Sequence, residues 1–115
     1  MVAAYVPEAG DIVMIDFDPQ VGREQAKRRP ALVLTEARYN HASGLMVVCP
    51  LTSVRKPYPF ALPVTVGEVE GAILVDQLKS LDWIGRKARF HSKAAPQLLS
   101  QVRQYVAVLL GLAVK

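Results

Sequence analysis

Hydrophobic and polar positions change their period along this chain, and the changes predict its elements. After Gly10, the run Asp11-Ile12-Val13-Met14-Ile15-Asp16-Phe17 is rich in β-branched residues and partly alternates, which predicts a strand ended by Asp18-Pro19. A polar, charged stretch from Gln20 to Arg29 follows. Pro30 then opens the short apolar run Ala31-Leu32-Val33-Leu34, which suits a buried second strand because proline is tolerated at a strand's first residue. Glu36 to Ala42 could form one or two helical turns. Leu45 to Cys49 predicts a third strand. Phe60 to Val66 predicts a fourth, broken or held to a sheet edge by Pro63, and Gly71 to Val75 a fifth. Arg86 to Phe90 could add a sixth.

The C-terminal segment has a different period. Pro96 suits a first helical position, and Leu98, Val102, Tyr105, Leu109 and Leu112 recur at spacings of four and three. That pattern predicts one amphipathic helix ending near Gly111 and packed on the strands. Short strands separated by Gly- and Pro-containing turns, with one closing helix, point to a small antiparallel barrel or coiled sheet.

The chain has 115 residues, 51% of them hydrophobic and 21% charged, which fits one globular domain over residues 1–115 rather than a disordered segment. A domain this small gains stability from a partner covering an apolar face, so a homodimer is plausible. The apolar runs are too short to span a bilayer, and the N-terminus lacks the charged and apolar regions of a secretion signal. A cytoplasmic protein without membrane association is therefore expected. The single Cys49 excludes an intramolecular disulfide and a cysteine zinc site, and its place in an apolar run makes it a core residue.

Charge adds a partner class. The net charge is +4, yet every charged residue up to Gly22 is acidic and every one from Ile84 onwards is basic. Such asymmetry fits a polyanion, although a basic solvated surface would look the same. Between the first two strands, Gly22-Arg23-Glu24-Gln25-Ala26-Lys27-Arg28-Arg29-Pro30 gathers four further bases around one carboxylate. Pattern alone reads it as a charged loop. His41 and His91 sit in separate segments without a supporting motif, and both read as exposed or structural.

Tyr5-Val6-Pro7, Gly10-Asp11, Asp16-Phe17-Asp18-Pro19, Gly22, Glu24-Gln25-Ala26 and Arg29-Pro30-Ala31 together resemble the N-terminal signature of the MazF/PemK toxin family. The likeness continues through Val33-Leu34, Tyr39-Asn40, Pro50 with Thr52, Tyr58-Pro59-Phe60, Asp76-Gln77, Lys79-Ser80 and Trp83. It implies an SH3-like antiparallel β-barrel with a C-terminal helix, in a homodimer whose RNA groove crosses the subunit interface. It further implies the toxin of a type II toxin-antitoxin system, restrained by a MazE-like antitoxin. The implied chemistry is sequence-specific cleavage of single-stranded mRNA without a metal or other cofactor. The ribose 2′-hydroxyl attacks the adjacent phosphate and leaves a 2′,3′-cyclic phosphate and a 5′-hydroxyl.

The resemblance carries Glu24, Arg29 and Thr52 as catalytic residues. These residue types suit that chemistry, since a carboxylate can accept the 2′-hydroxyl proton, a guanidinium can hold phosphorane oxygens, and a hydroxyl can donate one more hydrogen bond. The bases around Glu24 favour its ionised form and weaken it as a base, an effect that bound RNA phosphate would offset. Phe17 and Tyr58 are candidates for stacking on bases, and Arg28, Arg55, Lys56, Gln77 and Lys79 for contacting RNA. Two positions depart from the family pattern. Arg23 stands where a small hydroxyl residue is usual and Lys27 where glycine is usual, which adds charge and removes backbone freedom beside Glu24. The competing reading is a noncatalytic toxin of the same fold, resembling CcdB and acting on DNA gyrase. The set Glu24, Arg29 and Thr52 favours the ribonuclease.

Overall fold

Alternation in the first two strands places apolar side chains on both faces of a sheet. In the computed structural model, which describes residues 4–16, 28–53 and 58–112, β1 (Asp11–Asp16) pairs antiparallel with β2 (Arg28–Val33). Ile12 and Leu32 point into one core with Cys49, Leu51 and Ile73, while Val13, Ile15, Ala31 and Val33 point into another with Met46, Val48 and Trp83. A strand buried on both sides reads as nearly continuous hydrophobicity, which explains why β1 alternates only partly.

After the short helix α1 (Ala37–Ser43), the chain continues through β3 (Leu45–Thr52), β4 (Ala61–Val66) and β5 (Val69–Leu74). A 3₁₀ turn over Val75–Gln77 leads to β6 (Lys79–Asp82) and β7 (Arg89–Lys93). Helix α2 (Pro96–Leu109) closes the order. Among the described residues the seven strands form one antiparallel sheet, β4-β5-β3-β2-β1-β7, with β6 also paired to β3. The sheet curls into a half-barrel, in agreement with the barrel and C-terminal helix expected from the sequence.

Strand β3 outruns its expected end at Cys49. Leu45 to Val48 pair with β6, and Leu51 and Thr52 pair with β5. Pro50 falls between the two sets, where its missing N–H breaks no described ladder on that edge. Pro63 lies in β4, at the outer edge of the sheet, the position proline tolerates. Strand β6 is not visible in the hydrophobic pattern, because only Leu81 of its four residues is buried, too little for an alternation. The strand expected at Arg86 to Phe90 begins later. Asp82 accepts hydrogen bonds from the Ile84 and Gly85 amides, and Arg86 N bonds back to Asp82 O, so the chain is still turning there.

Helix α2 starts with Pro96 in its first turn and ends in a Schellman motif. Gly111, at φ 74°, donates to Val108 O while Leu112 N reaches Ala107 O. Its packed stripe is rotated from the expected one. Leu98, Leu99, Val102, Tyr105 and Val106 pack on the core, whereas Leu109 is outside that cluster and Leu112 lies beyond the helix, 59% exposed. Arg103 donates to Leu34 O at 2.7 Å and ties the helix to the end of β2.

A buried polar latch fastens the N-terminal segment and α1. Asn40 is fully buried; its amide donates to Pro7 O and Thr35 O, and its side-chain oxygen accepts from the Thr35 hydroxyl. Trp83 Nε1 donates to the Asn40 carbonyl. Both N–H groups and the oxygen of the side-chain amide thus find partners inside the protein, as burial requires. Asp11 is a second latch, accepting from Tyr5 Oη, Glu8 N and Lys93 Nζ.

Candidate active site

The curl of the sheet brings its two end strands to one cleft. Val64 and Val66 of β4 and His91 of β7 line the same hollow of about 510 Å³, which also takes Met14, Pro30 and Leu51 from the intervening strands. This is the open seam of the half-barrel. Its polar groups are Arg28, Arg29, Thr52, Ser53 and His91. An apolar floor with a few convergent polar groups is the usual form of a ligand site.

Arg28 and Arg29 are neighbours with different duties. Arg28 Nη1 contacts Asp16 Oδ1 at 2.8 Å, and its Nη2 donates to Met14 O at 2.8 Å and Lys87 O at 2.6 Å. A guanidinium so engaged clasps β1, β2 and the turn before β7, although its charge still faces the cleft. Arg29 pairs with Ile15 through its backbone, while its exposed side chain has no hydrogen-bond or ion-pair partner among the described residues. Its planar fork is therefore available to a phosphate, which it matches in two-point geometry.

Thr52 enters from the end of β3, half-buried, opposite Ala72 of β5. Its position depends on the absence of a side chain at Gly71. A Cβ there would stand 2.2 Å from Thr52 O and 3.1 Å from Thr52 C, so only glycine allows β5 to lie this close. Two of the three catalytic candidates, Arg29 and Thr52, thus share one cleft. Glu24, the third, lies outside the described residues, as do Phe17, Arg55, Lys56, Arg23 and Lys27.

Tyr58, Gln77 and Lys79 do not line the cleft. The Tyr58 hydroxyl hydrogen-bonds Asp76 in the 3₁₀ turn, next to exposed Gln77, and Lys79 begins β6 opposite Val48. His91, which the sequence reads as exposed or structural, also lines the cleft. Ile12 faces Ser92 and Val13 faces Phe90, so His91 is the extra residue of a β-bulge. Bulges redirect a side chain without changing composition, and no motif announces one.

Cys49 is fully buried, and burial, followed by the charge of Asp76, pushes its thiol up to about 12. It is a core residue with no thiolate to offer. Burial and the hydrogen bond to Asp11 likewise raise the Tyr5 phenol, so it stays protonated and holds Asp11 in place.

The family model described as PemK-like, MazF-like toxin of type II toxin-antitoxin system matches residues 8–110. The chain is 40% identical over 111 residues to the endoribonuclease toxin MazF of Escherichia coli K12, covering 96% of this chain and 100% of that one. A crystal structure of MazE-MazF from Deinococcus radiodurans superposes with a TM-score of 0.88 at 45% identity, covering 96% of this chain and all of the other. MazF alone from the same organism gives 0.84 at 45% identity, covering 95% and 100%. The chain belongs to the PemK/MazF-like toxin family.

Proposed function

We propose that the protein is the endoribonuclease toxin of a type II toxin-antitoxin pair and that it cuts single-stranded RNA in the seam between β4 and β7. The observation that carries this reading is the meeting of Arg29 and Thr52 in one cleft. The E. coli relative is named an endoribonuclease and the D. radiodurans relative was crystallised with MazE, which supports both the activity and an antitoxin partner.

Glu24 stands four residues before Arg28 in the chain and takes the 2′-hydroxyl proton. The freed oxygen attacks phosphorus, and the charge that builds on the non-bridging oxygens is met by the Arg29 guanidinium and the Thr52 hydroxyl. The bond to the 5′-oxygen breaks, leaving a 2′,3′-cyclic phosphate and a 5′-hydroxyl. No step uses a metal or other cofactor. Arg28 adds positive potential at the seam; Phe17, Tyr58, Arg55, Lys56, Gln77 and Lys79 extend the RNA track beyond it. Two copies form the working unit, with exposed Ile84 and Phe90 among the apolar surface available for pairing. Among the described residues no helix is long and apolar enough to cross a membrane, and we place the toxin in the cytoplasm with its mRNA substrate.

The test incubates the purified toxin in EDTA with single-stranded RNA, the same RNA as a duplex, and single-stranded DNA. Cutting of the single-stranded RNA alone is expected. Folded, antitoxin-free protein that leaves all three intact would transfer the assignment to a noncatalytic toxin, with DNA gyrase as the target to assay.

A further inference from the structure

Cleavage by 2′-hydroxyl attack moves two protons. One leaves the 2′-oxygen, and another must reach the 5′-oxygen as its bond to phosphorus breaks, because a bare alkoxide leaves poorly. Glu24 provides for the first. Arg29 is poorly suited to the second, since a guanidinium holds its proton throughout the ordinary pH range, and Thr52 is a hydroxyl that also keeps its own. Imidazole is the side chain that gives and takes a proton near neutral pH.

We propose that His91 is the catalytic acid that protonates the leaving 5′-oxygen, an assignment that rests on reading the seam as the ribonuclease site. His91 lines the cleft together with Arg29 and Thr52. The bulge between Phe90 and Ser92 leaves it without a partner on β1. Its Nδ1 lies 3.0 Å from Ser92 Oγ, which orients the ring, and Nε2 has no hydrogen-bond partner among the described residues. The residue is exposed, so a phosphate in the cleft can reach it. In the step itself the 2′-oxygen bonds to phosphorus, the P–O5′ electron pair stays on the 5′-oxygen, and Nε2 of the imidazolium gives that oxygen its proton. Neutral imidazole and protonated Glu24 remain, and exchange with water restores both.

The deciding experiment replaces the bridging 5′-oxygen at a mapped cut site with sulfur. A thiolate departs without a proton, so the acid becomes dispensable while the base does not. His91→Gln is expected to slow cleavage of ordinary RNA by about 10²-fold or more, and to recover nearly the wild-type rate on the sulfur substrate. Glu24→Gln should be slow on both. Wild-type rates of His91→Gln on ordinary RNA would overturn the assignment. So would an equal loss on both substrates, which would make His91 a substrate contact instead of an acid. Wild-type products that lack a cyclic phosphate would instead bring down the underlying reading of the cleft, a separate and recognisable failure.

Discussion

Gly71→Ala probes the link between sheet geometry and chemistry, because Gly71 touches the site only through backbone. The new Cβ would sit 2.2 Å from Thr52 O, 3.1 Å from Thr52 C and 3.4 Å from Ser53 Cα. An ordinary carbon–oxygen contact is about 3.3 Å, so the two strands must part by about 1 Å. The described β3–β5 register holds only Leu51↔Ile73 and Thr52↔Ala72, so the displacement falls on Thr52 itself. Overpacking of this kind destabilises by about 1–3 kcal/mol, and a displacement of about 1 Å at a reacting group slows catalysis by roughly 10²-fold. Single-turnover cleavage and a thermal melt measure the two effects together. Gly85→Ala is the control, since its Cβ meets only the Asp82 side-chain tip at 2.7 Å, away from the cleft, and cleavage should persist. A Gly71→Ala protein with native melting temperature and native rate would refute the dependence of Thr52 on this glycine.

Arg29→Ala should lower both kcat and RNA affinity, because the guanidinium meets phosphate in the ground and transition states alike; a rate loss of about 10²-fold in single-turnover kinetics is expected. Asn40→Ala strands Pro7 O and Thr35 O in the interior at about 1–3 kcal/mol each, and a lower denaturant midpoint with cleavage retained under native conditions checks it. Cys49 should resist thiol reagents in the native state and react on unfolding. Its folded-state value lies above its ordinary value of 9.0, so the unfolded chain loses the proton first. Stability is therefore complete below about pH 9 and falls as pH rises towards about 12, by up to about 1.4 kcal/mol per pH unit. Denaturant midpoints should show a shallower alkaline decline in Cys49→Ala; the Tyr5 shift acts in the same direction and remains in that variant.

Strands with strong apolar content are legible from the chain alone: β1, β2, β3, β4 and β5 fall where alternation or a short apolar run places them. Pro63 also announces its edge. What escapes depends on contacts that no local pattern carries. Strand β6 buries only Leu81, and its place is set by pairing with the first half of β3. The packed face of α2 turns towards Leu99 and Val106 because the sheet it meets, not the helix, decides which of two adjacent apolar stripes is covered. Arg29 and Thr52 can be named from the family signature, yet their convergence requires the curl of the sheet. The two arginines of the pair are chemically alike, and the family signature picks out Arg29; what it does not carry is the clasp of Arg28 on the carboxylate of Asp16 and the carbonyls of Met14 and Lys87. His91 is hidden for a related reason, since a one-residue bulge leaves no compositional trace.

If this seam cuts RNA through the 2′-hydroxyl with Glu24 as base, both ends of every fragment carry the record. The most direct test maps those ends after a mixed-sequence single-stranded RNA is treated in EDTA with wild-type protein and with Glu24→Ala. Cuts at a short defined sequence are expected, with 2′,3′-cyclic phosphate and 5′-hydroxyl ends, and a rate lower by roughly 10² to 10⁴-fold in the variant with RNA binding retained. Full activity of Glu24→Ala, or fragments ending in 5′-phosphate and 3′-hydroxyl, would contradict it.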